Sequence, residues 1–158
     1  MIKRLYKNIV QPEISKRLLN ILEKDFEELT PDELNLVRNQ ARITYGLYGK
    51  IPMNVIFNSY LNMKRKYVTE LEQVLVSPKQ PEYDFGVFGG GRKTIETKVQ
   101  VPTFDGQNGS PMGMFYLTEY TYLPVLTVSY FDDHTEVVCL SPEGSFCKLS
   151  TKDFDFEI

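Results

Sequence analysis

Hydrophobic positions follow two different rhythms along this chain, and the rhythm changes near residue 80. Up to that point apolar residues recur every three or four positions, the spacing of one face of an α-helix. Beyond it they alternate with polar residues, as in half-buried β-strands. The pattern therefore predicts an α+β protein, with a three-helix layer packed against an antiparallel sheet or small barrel. Its parts are a helical region (1–77), a Pro/Gly-rich linker (78–93) and an antiparallel β region (94–158).

Two of the three predicted helices are identified mainly by their apolar stripes. The first is expected to begin at Pro12, and its stripe consists of Ile14, Leu18, Ile21, Leu22, Phe26 and Leu29. The third is expected to open near Pro52 and to end before Pro78, since proline does not continue a helix. Its stripe consists of Ile56, Tyr60, Met63, Tyr67, Leu71 and Leu75.

The helix between them has well-formed start and stop signals. Thr30 and Glu33 have the spacing of a capping box, and Pro31 suits the first turn. Gly46 and Gly49 are expected to end the helix, because glycine readily adopts the left-handed conformation at a C-terminus.

The β region is expected to fold as a meander. Its predicted extended segments are residues 94–101, 112–122, 125–130, 135–140 and 145–149. Residues 104–109 are expected to form a turn. Pro142 and Gly144 suit a three-residue hairpin loop, which would place Cys139 opposite Cys147 as small buried residues.

The most specific local pattern lies in residues 123–158. A strand is followed by an acidic turn at 131–134, a second strand, a glycine turn at 142–144, a short strand and Lys152-Asp153-Phe154. This order resembles a small SH3-like barrel of the Tudor/KOW kind, although the glycine that opens a KOW motif has no counterpart before Val125. The resemblance implies a module that binds nucleic acid or a protein, and not a catalyst.

Charge changes sign at the same place as the rhythm. Residues 1–80 contain 13 Lys/Arg and 9 Asp/Glu, whereas residues 81–158 contain 5 and 12. Such asymmetry points to interaction surfaces, either with another molecule or between the two halves. The sequence pI of about 5.3 argues against a protein that coats nucleic acid along its whole surface.

Composition also limits the location of the protein. Two cysteines do not form a disulfide framework, and no apolar run approaches the roughly 18 residues of a membrane span. We therefore expect a cytoplasmic protein without a membrane partner, in the host cytoplasm if the chain is viral.

A glycine-rich stretch, Gly86 to Thr94, comes close to a phosphate-binding loop. However, Arg92 stands where that loop has lysine, and a strand follows where the loop needs a helix N-terminus. A connector or hinge is the favoured interpretation. A phosphate-processing enzyme that uses Lys93 is the other.

Other catalytic and metal sites have little support in the sequence. His134 is the chain's single histidine, which removes most catalytic triads and multi-histidine metal sites. Its acidic neighbours Asp132, Asp133 and Glu136 lack the spacing of a calcium loop. No catalytic residue, metal ligand or cofactor is therefore predicted.

Basic residues of the second and third helices form the first candidate binding site. Arg38 and Arg42 lie four positions apart, so they share a helix face. They could meet acids of the β region or an external phosphate. Lys64, Arg65 and Lys66 form a second basic cluster, for which a solvated helix face is the alternative.

A stripe of tyrosines and methionines forms the second candidate. One side of the extended stretch presents Met112, Met114, Tyr116, Tyr120 and Tyr122. The other side presents Phe115 and Leu117. We expect the helices to cover most of the Tyr/Met side, and any exposed remainder to mark a partner site.

These observations favour a non-enzymatic interaction protein that binds a larger protein partner. Small size and abundant Tyr and Phe prompt the further hypothesis of a phage-type accessory or regulatory factor. The alternative is a nucleic-acid-binding protein, for example a DNA-binding one, that contacts phosphates through its basic helices.

Overall fold

Among the residues that the structure describes, three helices precede a curled antiparallel sheet of seven strands, so the fold is α+β as predicted. The computed structural model describes residues 14–79, 99–106, 109–117 and 120–158. The helices are α1 (Lys16–Leu22), α2 (Pro31–Tyr45) and α3 (Met53–Tyr67), with a 3-10 turn at Phe26–Glu28. The strands are β1 (Gln73–Pro78), β2 (Val99–Phe104), β3 (Pro111–Leu117), β4 (Thr121–Tyr130), β5 (Thr135–Leu140), β6 (Phe146–Ser150) and β7 (Phe154–Asp155).

Helix α1 is shorter than the stripe predicts. It is capped by Ser15, whose hydroxyl accepts a hydrogen bond from the Leu18 backbone N–H at 3.2 Å. Pro12 lies outside the described residues. The helix ends at Leu22 because the next segment is bonded to β4: the Asp25 carboxylate accepts from the backbone N–H of Val128, 3.3 Å away. The prediction of a helix continuing to Leu29 was therefore wrong.

Helix α2 confirms its predicted signals. The Thr30 hydroxyl accepts from the Glu33 backbone N–H, and the Glu33 side chain accepts from the Thr30 N–H, which completes the capping box. Pro31 occupies the first turn. At the other end Gly46 has φ of 63°, a left-handed conformation that favours glycine.

Helix α3 begins after Pro52 as predicted but ends at Tyr67, and the expected extension through Leu71 and Leu75 was wrong. Residues 73–78 form strand β1 instead. Val74 and Val76 are buried within the sheet, where β-branched side chains pack well. Leucines four positions apart lie on one face of a helix, but in a strand they also lie on one side.

Strand order in the sheet is β3-β2-β6-β5-β4-β1-β7. Strands β5 and β6 confirm the predicted hairpins, whereas the extended stretch over 112–122 is divided between β3 and β4. Strand β7 follows β6 closely in the chain, but it pairs with β1, at the end of the strand order opposite to β3. In this pair Ser77 lies opposite Asp155. The sheet therefore curls into a half-barrel.

Two hydrophobic clusters hold the described structure together. One lies within the curled sheet and contains Val101, Leu117 and Leu149. The other joins the helices to the outer side of β4, β5 and β6, through Leu126 and Val138 among others. Helices and sheet therefore share a core.

Candidate interaction surface

Five large side chains that the sequence places on one side of an extended stretch are exposed. They are Met112, Met114, Tyr116, Tyr120 and Tyr122, with 51–73% of each residue exposed, and we call them the Tyr/Met surface. Phe115 and Leu117, which alternate with them, are 7% and 1% exposed. Within β3 the predicted alternation is confirmed, but the expectation that helices cover the Tyr/Met side was wrong.

The helices miss this surface because they pack on a different part of the sheet. Leu126, Val138 and Phe146 point toward α1, α2 and α3 and form their shared core. Those residues belong to β4, β5 and β6, whereas the Tyr/Met surface lies on β3, at the start of β4 and at Tyr120 just before it.

Strand register extends the Tyr/Met surface onto the neighbouring strands. Tyr116 pairs with Gln100 of β2, whose amide donates a 3.3 Å hydrogen bond to the tyrosine hydroxyl. Tyr122 pairs with Leu75 of β1, which is 37% exposed. Leu75, expected on a helix, thus borders the surface. The signal that would have indicated a strand here is the β-branched valine on each side of this leucine.

Formal charge is missing from the strands that carry the surface. Strands β2, β3 and β4 contain no Lys, Arg, Asp or Glu in their full lengths. A phosphate backbone needs cations to bind it. These three strands therefore offer no cation to a phosphate.

Arg38 and Arg42 both lie on α2, as expected. The Arg38 guanidinium donates to the Asn35 side chain at 2.8 Å, and that of Arg42 donates to the Gly49 carbonyl at 2.8 Å. These contacts lie within the helical region, so the idea that acids of the β region neutralise the pair stays a prediction.

The Lys64-Arg65-Lys66 cluster is dispersed by the structure. Lys64 is only 5% exposed. The Arg65 guanidinium lies over the Phe146 ring, 5.6 Å from its centre, and the Lys66 amine lies 5.4 Å from the Tyr67 ring centre. The three side chains thus face different surroundings.

Lys64 lines an open cleft of about 610 Å³ between the 3-10 turn, the end of α3 and β4. Its amine donates to the Lys24 carbonyl at 3.3 Å. Burial lowers the pKa of Lys64 below its usual 10.5, and the nearby carboxylates of Asp25, Glu28 and Glu72 act in the opposite direction. Burial likewise raises the pKa of Asp25.

The buried lysine gives stability a predictable pH dependence. Because its folded-state pKa is lowered, the unfolded chain binds this proton more tightly, so stability rises with pH through the interval between the lowered pKa and 10.5. Relative to Lys64→Met, the wild type is expected to gain up to about 1.4 kcal/mol per pKa unit of lowering. Urea unfolding at neutral and alkaline pH measures this difference.

The exposed Lys66 provides the matched control, because Lys66→Met removes a lysine from the surface of the same helix. A Lys64→Met difference that does not vary with pH would contradict this assignment.

The acidic turn forms ion pairs with lysines. Asp133 bonds His134 Nδ1 at 2.6 Å and Lys152 at 3.0 Å, and these contacts lower the pKa of Asp133 to about 2. His134 Nε2 lies 3.2 Å from Glu136, which also pairs with Lys148 at 3.2 Å. Within the described ranges, no group of three His, Cys, Asp or Glu side chains has an arrangement that could hold a metal ion.

The two cysteines face each other across the β5–β6 hairpin, as the loop spacing predicts. Both are buried and free, and the Cys147 thiol donates to the Cys139 carbonyl at 3.5 Å. Burial raises the pKa of Cys147 to about 12, which leaves little thiolate at neutral pH. The glycine-rich stretch Gly86 to Thr94 lies outside the described residues.

In the part of the chain that the structure describes, no helix is both long and apolar enough to cross a membrane. Comparisons with protein-family models, curated proteins and solved structures gave no match for this chain.

Proposed function

We propose that this chain is a non-enzymatic interaction protein that binds a larger protein partner through the Tyr/Met surface. The observation that carries the proposal is the exposure of five Tyr and Met side chains along β3 and around the start of β4. Tyr and Met are enriched at protein interfaces, and the cores of interfaces are poor in charge. A cluster of this kind on an uncharged part of a sheet marks a partner site.

Protein is a better candidate partner than nucleic acid for two reasons. The strands that carry the surface offer no cation to a phosphate, and Lys64 of the basic cluster is buried. The nucleic-acid alternative rests on Arg38, Arg42, Arg65 and Lys66, which are spread over two helices.

Finer aspects of the proposal come from sequence pattern. They are an SH3-like barrel with a three-helix layer, a phage-type accessory or regulatory role, and a cytoplasmic site of action. The curled antiparallel sheet is compatible with a small barrel, and small barrels commonly serve as binding modules.

The proposal is tested by replacing the tyrosine pair Tyr116→Ser/Tyr122→Ser. Tyrosines at interface centres contribute about 2 kcal/mol or more each, so partner binding should weaken at least tenfold. A photo-crosslinking residue at position 116 or 122 identifies the partner in the native host, and titration of the purified partner measures the affinity.

Tyr48→Ser is the control, because Tyr48 is 92% exposed but lies beyond the end of α2. It should leave the affinity unchanged. Equal binding by wild type and the tyrosine-pair variant would contradict the proposal, as would a crosslinked product that consists only of nucleic acid.

A further inference from the structure

Strand β3 stands at one end of the strand order, so among the described strands only β2 pairs with it. The unpaired edge of such a strand presents backbone N–H and C=O groups that can pair with another chain. Proteins usually protect such edges with charged side chains. The sequence of β3, PMGMFYL, has none, and Pro111 stands only at its first position.

Access to this edge is best along its first half. β3 ends at Leu117 and β4 begins at Thr121, so the two ends lie within about 14 Å of each other. A second strand beside the end of β3 would approach β4. The segment around Met112, Gly113 and Met114 is farther from this connection, and all three residues are exposed.

We infer that β3 pairs with β3 of a second copy of this chain, antiparallel and centred on Gly113. A twofold axis through this point places Met112 of each copy opposite Met114 of the other, which gives two equivalent methionine pairs. The two methionine pairs fall on the outer face, and Gly113 contributes no side chain to the inner face. No charge on β3 itself opposes the second copy.

The same symmetry brings the Tyr/Met surfaces of the two copies together. The axis runs perpendicular to the sheet, so the outer faces of the two copies remain on one side. Two Tyr/Met surfaces then join into a single one that spans both copies. The contact is smaller than a standard interface, so a concentration-dependent dimer is expected rather than a permanent one.

Cysteine crosslinking tests both the edge and the register. Copies with Met112→Cys are mixed with copies carrying Met114→Cys under mild oxidation, and the mixture should give several times more linked dimer than Tyr130→Cys. Tyr130 is the matched control because it is 65% exposed on β4. The native cysteines do not interfere, since both are buried.

Charge substitution provides the second measurement. The wild type should approach twice the monomer mass of 18.3 kDa at high concentration by light scattering. Met114→Lys should weaken self-association at least tenfold, and mixing it with Met112→Glu should restore a mixed dimer.

The inference is overturned if the wild type stays monomeric at all concentrations, or if the cysteine mixture links no better than Tyr130→Cys. It is also overturned if Met114→Lys self-associates like the wild type. Each measurement uses this protein alone, so its outcome is independent of the proposed partner.

Discussion

Phe146→Ala is expected to lower the free energy of unfolding by about 3–5 kcal/mol. Phe146 is 2% exposed and belongs to the cluster that joins the helices to the sheet. Its ring centre lies 5.8 Å from that of Phe104 on β2, and the Arg65 guanidinium of α3 covers it. Removing the ring leaves a cavity between the helices and the sheet that neither can close alone.

Urea unfolding followed by circular dichroism and by tyrosine fluorescence measures this loss. Because helices and sheet share the core around Phe146, both signals should shift together. Tyr48→Ala is the control, since Tyr48 is 92% exposed, and surface substitutions usually change stability by about 0.5 kcal/mol or less. A loss near the control value, or a helical signal that unfolds separately, would contradict the shared core.

Gly106→Ala is expected to destabilise the protein by about 1–3 kcal/mol, the usual cost of overpacking. A Cβ at this position would lie 1.9 Å from Cε2 of the Phe146 ring. That ring cannot move aside freely, because Phe104 and Arg65 pack on it. Gly106 is therefore required by the close approach of an aromatic ring.

A double-mutant cycle with Phe146→Leu separates this clash from a general effect at the turn. The smaller leucine gives the new methyl group room, so Gly106→Ala should cost less in the Phe146→Leu background than in the wild type. Equal costs in both backgrounds would show that the ring is not the cause.

The sequence predicted both ends of α2, because each end is determined by residues within or next to the helix itself. Thr30, Glu33 and Gly46 act within one turn of their own helix, so spacing alone identified them. The end of α1 depends instead on the hydrogen bond between Asp25 and Val128, residues far apart in the chain. Strand β1 is likewise held by β4 and β7, which its own sequence does not reveal.

The candidate site was predictable in part for the same reason. Alternation placed Tyr116 on the side of β3 opposite Phe115 and Leu117, because side-chain direction in a strand follows from sequence parity. Exposure depends on where the helices pack, and that is decided by distant residues such as Leu126. Lys64 shows the same limit: the sequence gives its charge, whereas its burial results from the packing of α3 near β4.

The pairing of β7 with β1 has a consequence for how the chain is made. Ser77 leaves the ribosome early, but its partner Asp155 is synthesised far later. At about 5–20 residues per second, β1 waits several seconds with an unpaired edge that exposes backbone donors and acceptors. During that time the edge is open to incorrect strands or to chaperones. The Lys79 amide donates to the Asp153 carbonyl at 3.2 Å, so its protection from hydrogen exchange should be among the last events of folding.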